Sequence, residues 1–154
     1  MSRTEKYLNY FLSHRNVTLQ LVSKIEKENY EYKPTPTSMT TEKLVSHMLT
    51  SFYRFALVVK KGDLSAFSNN FETEAENLSD LANQITTKTV ETLQSLTEEE
   101  LNQTIDLTNI LGMKLTGSQV LQVAMDHEIH HKGALFIYVR ELGHTDLPMF
   151  VSKG

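Results

Sequence analysis

An all-α chain built as a four-helix bundle is the fold class this sequence predicts, and three observations predict it. Apolar residues recur at helical spacing through four long stretches. No proline falls between Pro36 and Pro148, so nothing in that span removes a backbone donor or clashes with a helical turn. Glycine follows two of the stretches, at Gly62 and Gly143, where helix C-caps are expected. With 154 residues and a mass of 17.6 kDa, the chain predicts one domain over 1–154, because two would each bury too little core.

The first helix is expected from about Arg3 to Asn29. Tyr7, Phe11, Thr18, Leu21, Val22 and Ile25 recur along one face, and Ser2 with Glu5 three residues later forms a capping-box pattern. The segment 31–38, with Pro34 and Pro36, breaks the helix. A second helix is expected after Ser38 as far as Lys61, with Leu44, Val45, Met48, Phe52, Phe55 and Val59 on its apolar face. A third is placed from Thr73, with Glu76 at the capping-box position, to Leu96, burying Leu78, Leu81, Ile85 and Leu93. Thr97 to Leu101 repeats the Thr–Glu box and reads as one short turn. Residues 104–116 alternate Thr, Ile and Leu around Gly112, which predicts a short irregular segment or hairpin before the last helix. That helix is expected from Thr116, boxed by Gln119, to Leu142, with the tail after it packing back. Connections of about ten to twenty residues are longer than a minimal up-down bundle needs, so crossovers are compatible with the pattern.

Composition narrows the chemistry. There is no cysteine, so the chain has no disulfide, no thiolate nucleophile and no sulfur ligand for zinc or iron. The net charge of -4 and a single basic pair, Lys60-Lys61, argue against nucleic acid as a partner. No apolar run approaches the roughly 18 residues that span a bilayer. The N-terminus reads as an amphipathic helix and not a leader, so no membrane partner and a cytoplasmic location are expected.

Six histidines are present. His127 and His131 stand four apart in the last helix, which puts their Cβ atoms roughly 5–6 Å apart on one face. Two imidazoles so placed can share a metal ion. His47 is the best candidate for a third ligand, being mid-helix beside the apolar stripe of the second helix. Three neutral imidazoles would hold a divalent cation with coordination positions left for water or substrate. The plain alternative is that each is a hydrogen-bonded core or surface side chain, and that reading is preferred for His14, His130 and His144.

Residues 127–131 also match H-E-x-x-H, which in metallopeptidases supplies two zinc ligands and a general base. The extended form needs Gly at 134 and His at 137, where the chain has Ala134 and Ile137. No Glu follows Glu141, and no sheet is expected that could hold an extended peptide. A peptidase is therefore not the reading.

A mid-helix His in LVSHMLTSF, followed some eighty residues later by DHEIHHKGAL and then FIYVRELG, resembles the DinB family of bacterial metal-binding four-helix bundles. The likeness spans essentially the whole chain. It implies a three-His divalent metal site at His47, His127 and His131, holding zinc or nickel, and a homodimer. It further implies a thiol S-transferase type of activity, using an external low-molecular-weight thiol such as bacillithiol and a small electrophilic substrate; relatives also include mycothiol-dependent isomerases. Two positions depart from the family pattern: Lys132 where Arg is frequent, and Ala134 where Gln is frequent. The first keeps charge but loses the planar fork.

Such an enzyme would stabilise a thiolate on the metal near neutral pH. Glu128, Tyr53 and His130 are the candidates to orient water or accept a proton, each with the alternative of a solvent-facing polar residue. Lys132 and Arg140 are candidates to contact an anionic cofactor, against the alternative of a solvated helix face. Two rival functions use the same ligands: hydrolysis by a metal-activated water, and a non-catalytic metal-binding or interaction module in which the ion staples two helices.

Overall fold

A computed structural model describes every residue except Asn69, residues 72–74 and Gly154. Each long helix begins where a side chain satisfies its orphan N–H groups. Helix α1 (Arg3–Val22) has the Ser2–Glu5 capping box. It stops at Val22 and not at Asn29: after Ser23 the backbone bonds tighten, Lys24 N–H to the Leu21 carbonyl and Ile25 N–H to the Val22 carbonyl, and the polar residues beyond continue only as a 3-10 turn at Lys27–Asn29.

Helix α2 (Thr41–Lys61) is capped by Thr40 and ends on Gly62, whose φ of 77° is the left-handed conformation expected of a C-cap. Ser38, the expected starting point, is instead occupied in a turn with Thr35. Helix α3 (Leu78–Gln94) is capped by Asn77, whose side chain accepts from the Asp80 N–H. The expected start at Thr73 lies outside the described residues, and Glu76 precedes the helix in a bend. The short α4 (Glu98–Asn102) carries the Thr97–Glu100 box.

Strands β1 (Thr104–Asp106) and β2 (Lys114–Thr116) pair antiparallel, with Ile105 opposite Leu115. A single helical turn, α5 (Thr108–Leu111), is folded into their connection. Helix α6 (Gly117–Glu141) then starts at the Thr116–Gln119 box. Its first residue must be glycine, since a Cβ at Gly117 would stand 2.3 Å from the Glu100 carbonyl oxygen.

Helix α1 packs on α3 and α6, and α2 also packs on α3 and α6. Consecutive helices α1 and α2 therefore sit across the bundle from each other, as do α3 and α6, which is the crossover arrangement. The apolar core has two parts. One gathers Phe11, Phe52, Phe55, Leu93, Leu121 and Met125, among others; the other gathers Val17, Leu21, Met48, Ile85, Leu135 and Val139. Between them along α1, α3 and α6 lie polar residues that are nonetheless buried: Arg15, Thr86 and Glu128. The tail returns to the bundle, with the Ser152 N–H donating to the Ser13 carbonyl at 2.8 Å. No helix among the described residues is long and apolar enough to cross a membrane.

Candidate metal centre

The α2–α6 contact brings three imidazoles to one point. His47 sits on α2 beside buried Leu44, Val45 and Met48. His127 and His131 stand one turn apart on α6, as their spacing predicts. His47 Nε2 lies 2.9 Å from His127 Nε2, and His131 Nε2 lies 3.1 Å from the same atom. One ligand atom from each ring falls within 4.8 Å of the others, and the group could hold a metal ion. Two nitrogens each about 2.0–2.1 Å from one zinc stand roughly 3 Å apart, so the observed spacing suits a shared cation.

Hydrogen bonding alone leaves this arrangement incomplete. In a neutral imidazole each ring nitrogen carries either a proton or a lone pair, never both. The Nε2 of His127 can thus satisfy only one of its two close contacts. A cation satisfies all three nitrogens at once. Nδ1 of His47 lies 3.4 Å from the Ser51 hydroxyl, which can accept its N–H and leave Nε2 free.

The surroundings keep the rings neutral. Burial, then His127 and His47, push His131 down to about 4. His127 is lowered by burial and by His47, and His47 by burial and the Arg54 guanidinium. His127 and His131 are half-buried, and His47 lies at the more exposed rim.

The other singled-out residues go to different places. Glu128 does not face solvent: it is 1 % exposed. Arg15 clasps it in a two-point bond, Nη2 to Oε1 at 2.7 Å and Nε to Oε2 at 3.0 Å, and Thr18 donates to Oε2 at 2.8 Å. Burial alone would raise its carboxyl, but Arg15 and Thr18 outweigh that and hold it below the ordinary range. Both oxygens are engaged inside the bundle, so Glu128 is not placed as a base toward the imidazoles. Tyr53 turns its ring to Phe71, 4.9 Å between centroids, and burial with Glu91 pushes its phenol up. His130 is exposed and flanks the cluster, its ring 4.9 Å from that of His131.

Lys132 is buried and not on a solvated face. Its Nζ stands 2.6 Å from His14 Nδ1 and donates to the Phe150 carbonyl, which ties down the tail. Burial lowers the Lys132 amine, opposed by Glu128; His14, also buried, is lowered by desolvation and by Lys132. Arg140 is exposed and lies over the Phe136 ring at 5.6 Å. Sequence reasoning passed over Arg15 entirely. The available signal was a charge inside the Phe11–Thr18–Val22 stripe of α1, matched by an opposite charge in the Ala124–Leu135 stripe of α6.

The DinB family model matches residues 1–152. The chain is 53% identical over 153 residues to the uncharacterised protein YjoA of Bacillus subtilis (strain 168), covering 99% of each. The crystal structure of a DinB-like protein from B. subtilis, YjoA, superposes with a TM-score of 0.90 at 53% identity, covering 96% of this chain and 99% of that one. A DinB-like protein from Bacillus cereus ATCC 10987 gives a TM-score of 0.72 at 20% identity, over 94% and 95% of the two chains. At that identity the likeness speaks for the fold.

Proposed function

The chain belongs to the DinB family, and on that premise we propose that it is a divalent-metal enzyme of thiol S-transferase type, its metal held by His47, His127 and His131. The observation that carries the metal reading is the convergence of three Nε2 atoms, in which one nitrogen has two contacts of 2.9 and 3.1 Å and a proton for at most one of them. Zinc and nickel both suit three imidazoles. A cation held by these three imidazoles would lower the proton affinity of a thiol near neutral pH.

The chain's own residues do the rest. Burial and mutual repulsion keep the three rings unprotonated, so their lone pairs are available at neutral pH. The Ser51 hydroxyl, 3.4 Å from His47 Nδ1, can accept that N–H and leave Nε2 to the cation, the arrangement outer partners of ligating imidazoles provide. His130, exposed beside the cluster, is the group that carries away the thiol proton. With no cysteine in the sequence, the thiol is external, of the bacillithiol class; its sulfur would bond to the electrophilic carbon of a small substrate as that carbon's bond to the leaving group breaks, chloride departing in the case of monochlorobimane. The exposed rim at His47 leaves the cluster open to solvent, which favours chemistry over a closed structural staple. The reading is of a homodimer in the cytoplasm, acting on small molecules.

Direct transfer is the test. Protein purified without a histidine tag is loaded with zinc or nickel, then mixed with a thiol and monochlorobimane. Metal-dependent conjugation that chelator abolishes and His47→Ala removes is the expected result. Metal uptake without thiol turnover, but with hydrolysis of an activated ester, would move the assignment to a hydrolase. Full metal content in His47→Ala would overturn the proposed ligand set.

A further inference from the structure

Directly behind the imidazole cluster lies the buried polar layer that divides the core. Arg15 is its centre and touches side chains from all four long helices. From α1 it reaches Glu128 on α6 by two hydrogen bonds and Thr86 on α3 at 3.1 Å. Its guanidinium also lies 4.7 Å from the Phe11 ring of α1 and 5.7 Å from the Phe52 ring of α2. Both charged side chains are fully removed from solvent.

We infer that Arg15 and Glu128 are positioning residues for the proposed metal site: the two-point clasp fixes the rotation and height of α6 so that His127 and His131 meet His47. The inference rests on the metal reading above. Glu128 adjoins His127 and precedes His131 by less than one turn, so all three move as one rigid piece of helix. Successive residues are about 100° apart around the axis, which lets one short segment face α1 with its carboxylate and α2 with its imidazoles. The apolar parts of the core tolerate small sliding, because their attraction is non-directional. A charged fork is less tolerant, since such bonds weaken outside a narrow range of distance and angle. Metal ligation is equally strict, allowing about 0.2 Å. The clasp thus has the directionality that the ligand set requires.

Stability does not explain the pair. Replacing a buried ion pair by apolar residues of similar volume is often neutral or stabilising, so a chain selected for stability alone has no need of it. Thr18 and Thr86 complete the clasp by holding Glu128 Oε2 and Arg15 Nη1 in place.

The experiment is the double variant Arg15→Met with Glu128→Leu, which removes the clasp while leaving no charge unpaired. Its melting temperature without metal is expected to stay near that of the parent protein. Its zinc affinity, read by competition with a chromophoric chelator, is expected to fall by about 10-fold or more, approaching the range seen when a group bonded directly to a metal ligand is lost. The visible spectrum of the cobalt-loaded protein is expected to change in band position. In metal-free protein, the ring nitrogen resonances of His47, His127 and His131 are expected to shift or broaden. Unchanged affinity, cobalt bands and ring resonances in a folded double variant would overturn the inference. Should that variant not fold, Thr18→Val with Thr86→Val loosens the clasp more gently. A several-fold loss of affinity is then expected, and no loss overturns the proposal. A parent protein that takes up no ion refutes the metal reading instead, and the ring resonances still decide whether the clasp positions the imidazoles.

Discussion

Removing Arg15 alone should reverse the pH dependence of stability at the Glu128 site. In the parent protein the Glu128 carboxyl is held below its ordinary value. The folded chain then binds fewer protons here than the unfolded one between those two values. This contribution is complete above the unfolded value and is lost as pH falls through the folded one. In Arg15→Met the carboxyl stays buried without its cation, and desolvation raises its proton affinity. The folded chain now binds more protons, so stability is lost as pH rises above the ordinary carboxyl range. The penalty is capped by the cost of protonating the group, about 1.4 kcal/mol per unit over the roughly 2.7 units between pKa 4.3 and pH 7. That gives a ceiling of about 3.7 kcal/mol at pH 7 and about 1 kcal/mol at pH 5 from the same arithmetic. Urea unfolding of both proteins in chelator, at the two pH values, reads the difference. The variant should lose about 3 kcal/mol at pH 7 and clearly less at pH 5. A loss of equal size at both values, or none, would refute the claim that Glu128 is an ionised carboxylate kept so by Arg15.

Three further outcomes are expected. Protons compete with the metal for the imidazoles, and because all three are shifted down, His131 to about 4, metal should be retained at pH 6 and released progressively below it; half-release above pH 6.5, followed by elemental analysis after desalting, would contradict the neutral cluster. Lys132→Met should free the tail, so hydrogen exchange at Ser152, whose N–H bonds to Ser13, should quicken while α6 stays protected; an unaltered tail would show that the Phe150 contact does not hold it. Gly117→Ala places a methyl 2.3 Å from a backbone oxygen and should cost about 2–3 kcal/mol in urea unfolding, as overpacking against an unyielding neighbour does; a neutral effect would mean the α4–α6 junction relaxes freely.

The imidazole cluster was legible because its elements obey local rules. A spacing of four puts His127 and His131 on one face whatever the rest of the fold does, and the stripe of α2 assigns His47 to the edge of the core. The Ser2–Glu5, Thr97–Glu100 and Thr116–Gln119 boxes likewise depend on a few adjacent residues, and all are present. The Arg15–Glu128 pair was not legible, because its partners lie 113 residues apart and a charge on a helix reads by default as solvated. Lys132 misled for the same reason; its partners are His14 and a tail carbonyl. The early end of α1 is a change of backbone bonding from four residues back to three, at Lys24 and Ile25, which the apolar spacing that carries on to Ile25 does not register.

The cross-bundle placement of α1 and α2 also bears on how the chain reaches this structure. Among the described long helices, α2 and α3 are the consecutive pair that packs side by side, whereas α1 reaches α2 only across the core, as where the Phe11 and Phe52 rings meet. A helical hairpin that closes early must therefore be that one, while α1 waits for partners made much later in the sequence. Distant pairings slow the search, since loop closure comes before the contacts that reward it. Refolding should run slower than in up-down bundles of equal length, with the α2–α3 hairpin as the nucleus on which α1 and α6 condense.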